Sequence, residues 1–243
     1  MLLAAHSELA AELALNPDPS VWGECAVNGM LWEPVVDGDT LPALPIELVA
    51  AGQVADVDLL VGTNDDEHTL FLYPVLDLFD QATVATLLAA LGAEPAAYDT
   101  YVALVGSRPG DILVAGLTDW FFRVPALRLA EARLALGLDT FVYEFGWKTP
   151  VLDGVLGSTH ALEIGFAFDT LTAPGADWLT GPEAPQELAD QMHAAWVAFV
   201  KDGHPGWPAY GTGRRTRRFS TEADRATVID DPSAKRRLLW PHR

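Results

Sequence analysis

Apolar positions fall into two kinds of pattern along the chain. Leu59, Leu60 and Val61 form a compact apolar run that reads as a short buried strand, with Gly62 releasing the chain into a turn. Phe141 to Phe145 is rich in aromatic and β-branched residues and alternates in polarity, the signature of a second central strand. Elsewhere the spacing is helical. Leu2, Leu3, Leu9, Leu13 and Leu15, with Glu8 and Glu12 between them, predict a helix over 2–15 that Asn16-Pro17 ends. A short helix is expected over 46–52, broken helix over 76–106 with an interruption at Gly92, and two further helical pieces over 111–136, the later starting at Pro125. The clearest helix runs from Gln186 to Lys201. Leu188, Met192, Ala195, Trp196 and Phe199 share one of its faces and Gly203 ends it.

The intervening stretches are less regular. Residues 17–45 are rich in Pro, Gly and Asp, with Trp22 and Trp32 as anchors, and predict loop with short strand pieces from Glu33 to Val36. Trp120-Phe121-Phe122 is expected in the core. Two short strand-like runs are expected between Phe219 and Asp231. Just before them, Arg214, Arg215, Arg217 and Arg218 read as a basic turn, solvated in the simplest view but able to attract an anion.

Composition narrows the class. With 243 residues and 50% hydrophobic content the chain can bury a sizeable core. The formal charge of −19 is unevenly spread: residues 1–210 carry 6 basic and 30 acidic side chains, residues 211–243 carry 9 and 4. Such a surface repels nucleic acid and anionic lipid, so neither is an expected partner. Cys25, the single cysteine, excludes an intramolecular disulfide and a cysteine-based zinc site. The amino terminus has no basic region of a signal peptide, and no apolar run approaches the ~20 residues of a membrane span. The expected location is cytoplasmic.

The candidate chemistry follows the two strands. Asp65-Asp66-Glu67 lies just beyond the first, at the carboxyl end where open α/β sheets carry their sites. Three adjacent carboxylates repel one another, so the run is either a solvated acidic turn or a place where the charge is used. His160 lies in Leu156-Gly157-Ser158-Thr159-His160-Ala161-Leu162-Glu163, a Gly- and Ser-containing loop beyond the second strand. A carboxylate after one strand and a histidine after a later one stand in the order of the second and third members of a hydrolase triad. Asp65 and Asp66 are alternatives to Glu67 as the acid, and His68 is an alternative base, although adjacent side chains rarely face each other. His6, His193, His204 and His242 have no comparable setting, and no histidine or cysteine spacing argues for a metal.

These stretches, with Pro34-Val35-Val36-Asp37-Gly38-Asp39, Phe145-Gly146-Trp147 and Trp207-Pro208-Ala209-Tyr210, resemble the carboxyl-terminal half of the type-B carboxylesterase family, which includes cholinesterases and para-nitrobenzyl esterases. The resemblance implies an α/β-hydrolase fold over 1–243, in the form of the carboxyl-terminal portion of the central sheet with flanking helices. It also implies Glu67 as the triad acid, His160 as the base, Leu70 and Phe71 along the substrate gorge, and no cofactor. His68 departs from the family's tendency toward glycine after the acid.

No Gly-x-Ser-x-Gly occurs in the sequence, and no His-Gly-Gly or Gly-Gly-Gly run that could build an oxyanion hole. The six serines, Ser7, Ser20, Ser107, Ser158, Ser220 and Ser233, all lack the flanks of a nucleophile elbow. The chain also opens abruptly within a helical pattern. The expectation is therefore an esterase portion with acid and base but no nucleophile, inactive alone, that engages an ester only when joined to a nucleophile-bearing half. A non-catalytic binding module and an inert remnant are the alternatives. Exposed strand edges would favour self-association.

Overall fold

The computed structural model describes residues 2–54, 57–221 and 228–241. The chain forms two compact units, Met1–Leu48 and Val49–Arg243. In the first, helix α1 spans Leu2–Leu15, and Trp32 donates its indole N–H to His6 Nδ1 at 2.9 Å. The short strand pieces expected from Glu33 to Val36 are absent. That stretch has no regular structure, and Val35 and Val36 are exposed, so the two valines have neither a ladder partner nor a buried face.

The second unit is built on a four-stranded sheet in the order β1 (Leu59–Asn64), β2 (Thr140–Phe145), β3 (Arg215–Phe219), β4 (Val228–Asp230). The first three strands run parallel, and β4 closes the far side as an antiparallel hairpin strand. Residues 222–227, within the stretch expected to form the last strand-like runs, lie outside the described residues, as does His242. Strand β1 pairs with β2 and, among the described residues, with no other strand.

Register is set by burial on both faces. Phe141 and Phe145 point to one side, where Phe219, Trp207, Leu188 and Met192 bury them beneath helix α6 (Gln186–Asp202). Val142 points to the other side, against Leu127 and Ala130 of helix α5 (Val124–Ala135). The face of α6 read from the sequence is the face that packs. Gly62 stands opposite Tyr143, and a Cβ there would sit 2.3 Å from the tyrosine ring, so only glycine lets the ring lie across β1.

A second core is helical. Helices α2 (Gln81–Ala90), α3 (Ala97–Val105) and α4 (Pro109–Thr118) enclose Val84, Leu88, Tyr101, Ile112, Leu113 and Trp240. The two helical pieces expected over 111–136 are one continuous rod. A π-helical turn, Asp119–Arg123, joins α4 to α5, with the Val124 N–H donating to Asp119 O. Pro125 has no N–H to offer the carbonyl four residues back, so the helix widens at the turn before it instead of breaking.

The four-arginine run is not a solvated turn. Arg215–Phe219 is strand β3, and three of the four guanidinium groups are held by carboxylates: Arg214 by Glu131, Arg215 by Asp230, and Arg218 by Asp65. Propensity alone hides this strand, because the carboxylates that meet Arg215 and Arg218 lie far from them in sequence.

Candidate active site

Strand β1 delivers Asn64 and then the acidic turn to the carboxyl end of the sheet, and β2 delivers the 156–163 loop beside it. The two are tied by backbone. Asp65 N–H donates to Phe145 O at 3.0 Å and Asp66 N–H to Ser158 O at 2.9 Å. Ser158 N–H returns a bond to Asp66 Oδ2 at 2.9 Å. Gly157 has φ +61, and a Cβ on it would meet Asp66 Oδ2 at 2.4 Å, so the close approach of the two loops requires glycine.

Held in this way, Glu67 and His160 meet. Glu67 is 6% exposed. Its Oε1 accepts the Asn64 N–H at 2.8 Å, and its Oε2 lies 2.8 Å from His160 Nδ1. A carboxylate can only accept, so Nδ1 carries the proton and Nε2 is left as the basic nitrogen. The hydrogen bond to Glu67 raises the His160 imidazole above its usual range, with burial opposing and the Glu67 charge adding to the rise. The His160 side chain is 41% exposed, so its ring is accessible while its carboxylate partner is not. Ala161, the next residue, sits at φ +66, a left-handed conformation that a non-glycine residue adopts rarely and that sets the turn after the imidazole.

Asn64 has a second role that the sequence did not disclose. Its side-chain amide donates to Thr159 O at 2.7 Å and to the Glu163 carboxylate at 2.5 Å, binding the end of β1 to both flanks of His160. Burial pushes the Glu163 carboxyl up, and the Asn64 amide pulls the other way.

The three acids of the turn have separate environments. Burial alone would raise Asp65, but the two-pronged bond from Arg218, at 3.0 and 2.5 Å, and the nearby Arg123 charge hold it below the usual range. Asp66 is raised by burial, which outweighs its bond from Ser158 N–H. Only Glu67 reaches a histidine. Behind the turn, Arg123 is buried against Asp119, which also accepts from the Tyr101 hydroxyl at 2.7 Å. A cavity of about 660 Å³ borders Asp65, Asp66, Arg123, Glu144 and Arg218, and neither Glu67 nor His160 lines it.

Aromatic rings frame the imidazole. Phe71 and Phe122 lie 5.4 and 5.2 Å from the His160 ring by centroid. Phe71 is largely exposed, whereas Leu70, its neighbour, packs against the core around Phe145. The expectation that Trp120-Phe121-Phe122 is all core holds for Trp120, but Phe122 turns toward His160 because the π turn rotates it off the buried face. His68 does not approach Glu67 as a rival base. Its ring sits 5.5 to 5.7 Å from those of Phe71, Phe121 and Phe122, its Nδ1 is buried with no hydrogen-bond partner among the described residues, and burial lowers its pKa to about 4. Ser158, the serine nearest His160 in sequence, is wholly buried, and its hydroxyl donates to Phe145 O at 2.8 Å.

The model of the carboxylesterase family matches residues 5–236. The chain belongs to the carboxylesterase family. It is 31% identical over 223 residues to the para-nitrobenzyl esterase of Bacillus subtilis (strain 168), a match covering 87% of the chain and 44% of that protein. It is 28% identical over 190 residues to the phenmedipham hydrolase of Pseudarthrobacter oxydans, covering 73% and 38%. The crystal structure of the Geobacillus stearothermophilus carboxylesterase EST55 superposes with a TM-score of 0.74 at 28% identity, covering 95% of this chain and 50% of that one. The fold is accordingly that of an α/β-hydrolase, in part. The chain spans about half the length, or less, of the relatives it matches.

Proposed function

We propose that this chain supplies the acid and the base of a serine-hydrolase triad, Glu67 and His160, for the cleavage of carboxylic esters, and that the nucleophile and oxyanion hole come from a separate nucleophile-bearing segment. The observation that carries the proposal is the 2.8 Å bond between Glu67 Oε2 and His160 Nδ1 across 93 residues of sequence. That bond fixes the tautomer in which Nε2 can take a proton from a serine hydroxyl, and the buried carboxylate stabilises the imidazolium that results. His160 then returns the proton to the leaving alcohol, and water completes the cycle by the same route. Phe71 and Phe122, flanking the imidazole, offer an apolar wall to the ester.

Among the described residues, the serine nearest His160 in sequence does not stand ready for acylation. Ser158 is sealed and already donates its proton to Phe145 O, and the sequence contains no Gly-x-Ser-x-Gly. Strand β1, with one neighbour among the described strands, is where a further strand of the sheet would add. The proposal predicts that the purified chain hydrolyses p-nitrophenyl esters no faster than a denatured control. The catalysis that survives loss of a nucleophile in a complete enzyme comes from the oxyanion hole and binding site, and the hole would also have to come from the separate segment. Turnover by the chain alone that vanishes in His160→Ala would contradict it by revealing an internal nucleophile.

A further inference from the structure

One arginine of the β3 run is left over. Arg214, Arg215 and Arg218 each lie within 4 Å of a carboxylate, whereas Arg217, among the described residues, has no ion pair and no hydrogen bond at its guanidinium. Its guanidinium carbon lies over the Phe219 ring, 4.9 Å from the centroid. The side chain is half-buried, and burial pulls its pKa down with no anion to offset the loss. With no carboxylate partner among the described residues, the guanidinium stacks on a ring and its N–H donors, which lie in the guanidinium plane, stay available at its edge.

Arg217 borders a cavity of about 320 Å³ between α6 and the end of β3. Ala194, Ala195 and Ala198 of α6 form one wall, and Trp207 and Phe219 another. Trp207 also carries a buried indole N–H that has no acceptor among the described residues. The space lies in the size range of small-ligand pockets and is open on one side, with Arg217 and Gln191 as polar side chains among mostly apolar residues.

We propose that this cavity binds a small aromatic carboxylate, its carboxyl group forked on Arg217 and its ring between the alanine face of α6 and the Trp207 and Phe219 rings. A planar carboxylate matches the guanidinium edge in two parallel bonds. A ring matches the methyl-and-aromatic walls, which a bare inorganic anion would leave uncovered. The chain's net charge of −19 opposes any anion at long range, but at physiological ionic strength that repulsion is screened within about 8 Å, and the local contacts decide. The site is independent of Glu67 and His160.

Benzoate is the probe, titrated into the full chain at physiological ionic strength and followed by calorimetry and by the Trp207 indole N–H resonance. The expected result is saturable binding with a Kd on the order of 1 mM, at least about tenfold weaker for inorganic phosphate and for benzyl alcohol. Arg217→Gln should weaken benzoate at least about tenfold and Arg217→Lys less so, because lysine keeps the charge but not the fork. Ala194→Leu, with Arg217 intact and the packed face of α6 untouched, should narrow the cavity and exclude the ring, which keeps the test decisive if an Arg217 variant misfolds. Benzoate binding that is absent up to about 10 mM, that survives Arg217→Gln or Ala194→Leu, or that phosphate equals, overturns the proposal.

Discussion

Asp66 and Ser158, ninety-two residues apart in sequence, hold each other by two bonds: the Asp66 N–H to the Ser158 carbonyl and the Ser158 N–H to the Asp66 carboxylate, both 2.9 Å. This clamp, one residue before Glu67 and two before His160, is what brings the acid and the histidine together. The acidic turn is therefore not three equivalent charges. Asp65 anchors to Arg218, Asp66 closes the clamp, and Glu67 meets the imidazole.

The clamp can be tested through its charge. Burial raises the Asp66 carboxyl, so the folded state favours the protonated form, and the ionised group costs stability once pH rises above the unfolded value near 4. Asn at this position still accepts the Ser158 N–H without that charge. Urea unfolding at neutral pH should find Asp66→Asn at least as stable as the wild type, and Asp66→Ala less stable by about 1–3 kcal/mol for the unpaired N–H it leaves. Equal loss in both variants would contradict the assignment.

His160 should titrate above its ordinary range, because the bond to Glu67 raises it. Glu67→Gln should lower the value seen by NMR. The sign for stability follows: a folded pKa above the unfolded one gives stabilisation that is full below about 6.5 and is lost as pH rises through the folded value. The gap in unfolding midpoint between wild type and Glu67→Gln should therefore narrow toward alkaline pH. A His160 titration unmoved by Glu67→Gln would mean that the 2.8 Å contact carries no electrostatic weight.

His68 should behave in the opposite sense. Burial lowers it to about 4, so the chain gains from a neutral His68 above the unfolded value near 6.5 and loses that gain as pH falls toward 4. His68→Leu keeps an apolar group among Phe71, Phe121 and Phe122 and removes the titration. Acid unfolding monitored by circular dichroism should show the variant holding its stability between pH 6.5 and 4 where the wild type declines. Parallel declines would place His68 in water.

Much of this was legible from sequence, for identifiable reasons. β2 and α6 bury their apolar residues in one core, with Leu60 of β1 half-buried against it, and burial imprints a period on the sequence. The order of an acidic turn and His160 after successive strands pointed to a carboxylate–histidine pair because parallel sheets gather such loops at one end, whereas the choice of Glu67 over Asp65 and Asp66 came from the family resemblance. β3 was misread as a turn because Arg215 and Arg218 within it, and Arg214 just before it, meet carboxylates from elsewhere in the chain, Asp230, Asp65 and Glu131. Phe122 was assigned to the core because no local pattern announces a π turn. Asn64 carried no signal: its value lies in Thr159 and Glu163, which only the folded chain brings near.

The central claim is tested most directly by complementation. The chain is combined with a nucleophile-bearing segment that carries His-Gly-Gly and Gly-x-Ser-x-Gly sequences, and p-nitrophenyl ester hydrolysis is compared for wild type, His160→Ala, Glu67→Gln and His68→Ala at equal amounts of assembled complex. The account predicts that hydrolysis appears only on assembly, that His160→Ala abolishes it, that Glu67→Gln lowers kcat by a factor on the order of 10⁴, and that His68→Ala leaves most of it. Equal loss in all three variants, or activity that survives His160→Ala, would contradict the roles given to Glu67 and His160.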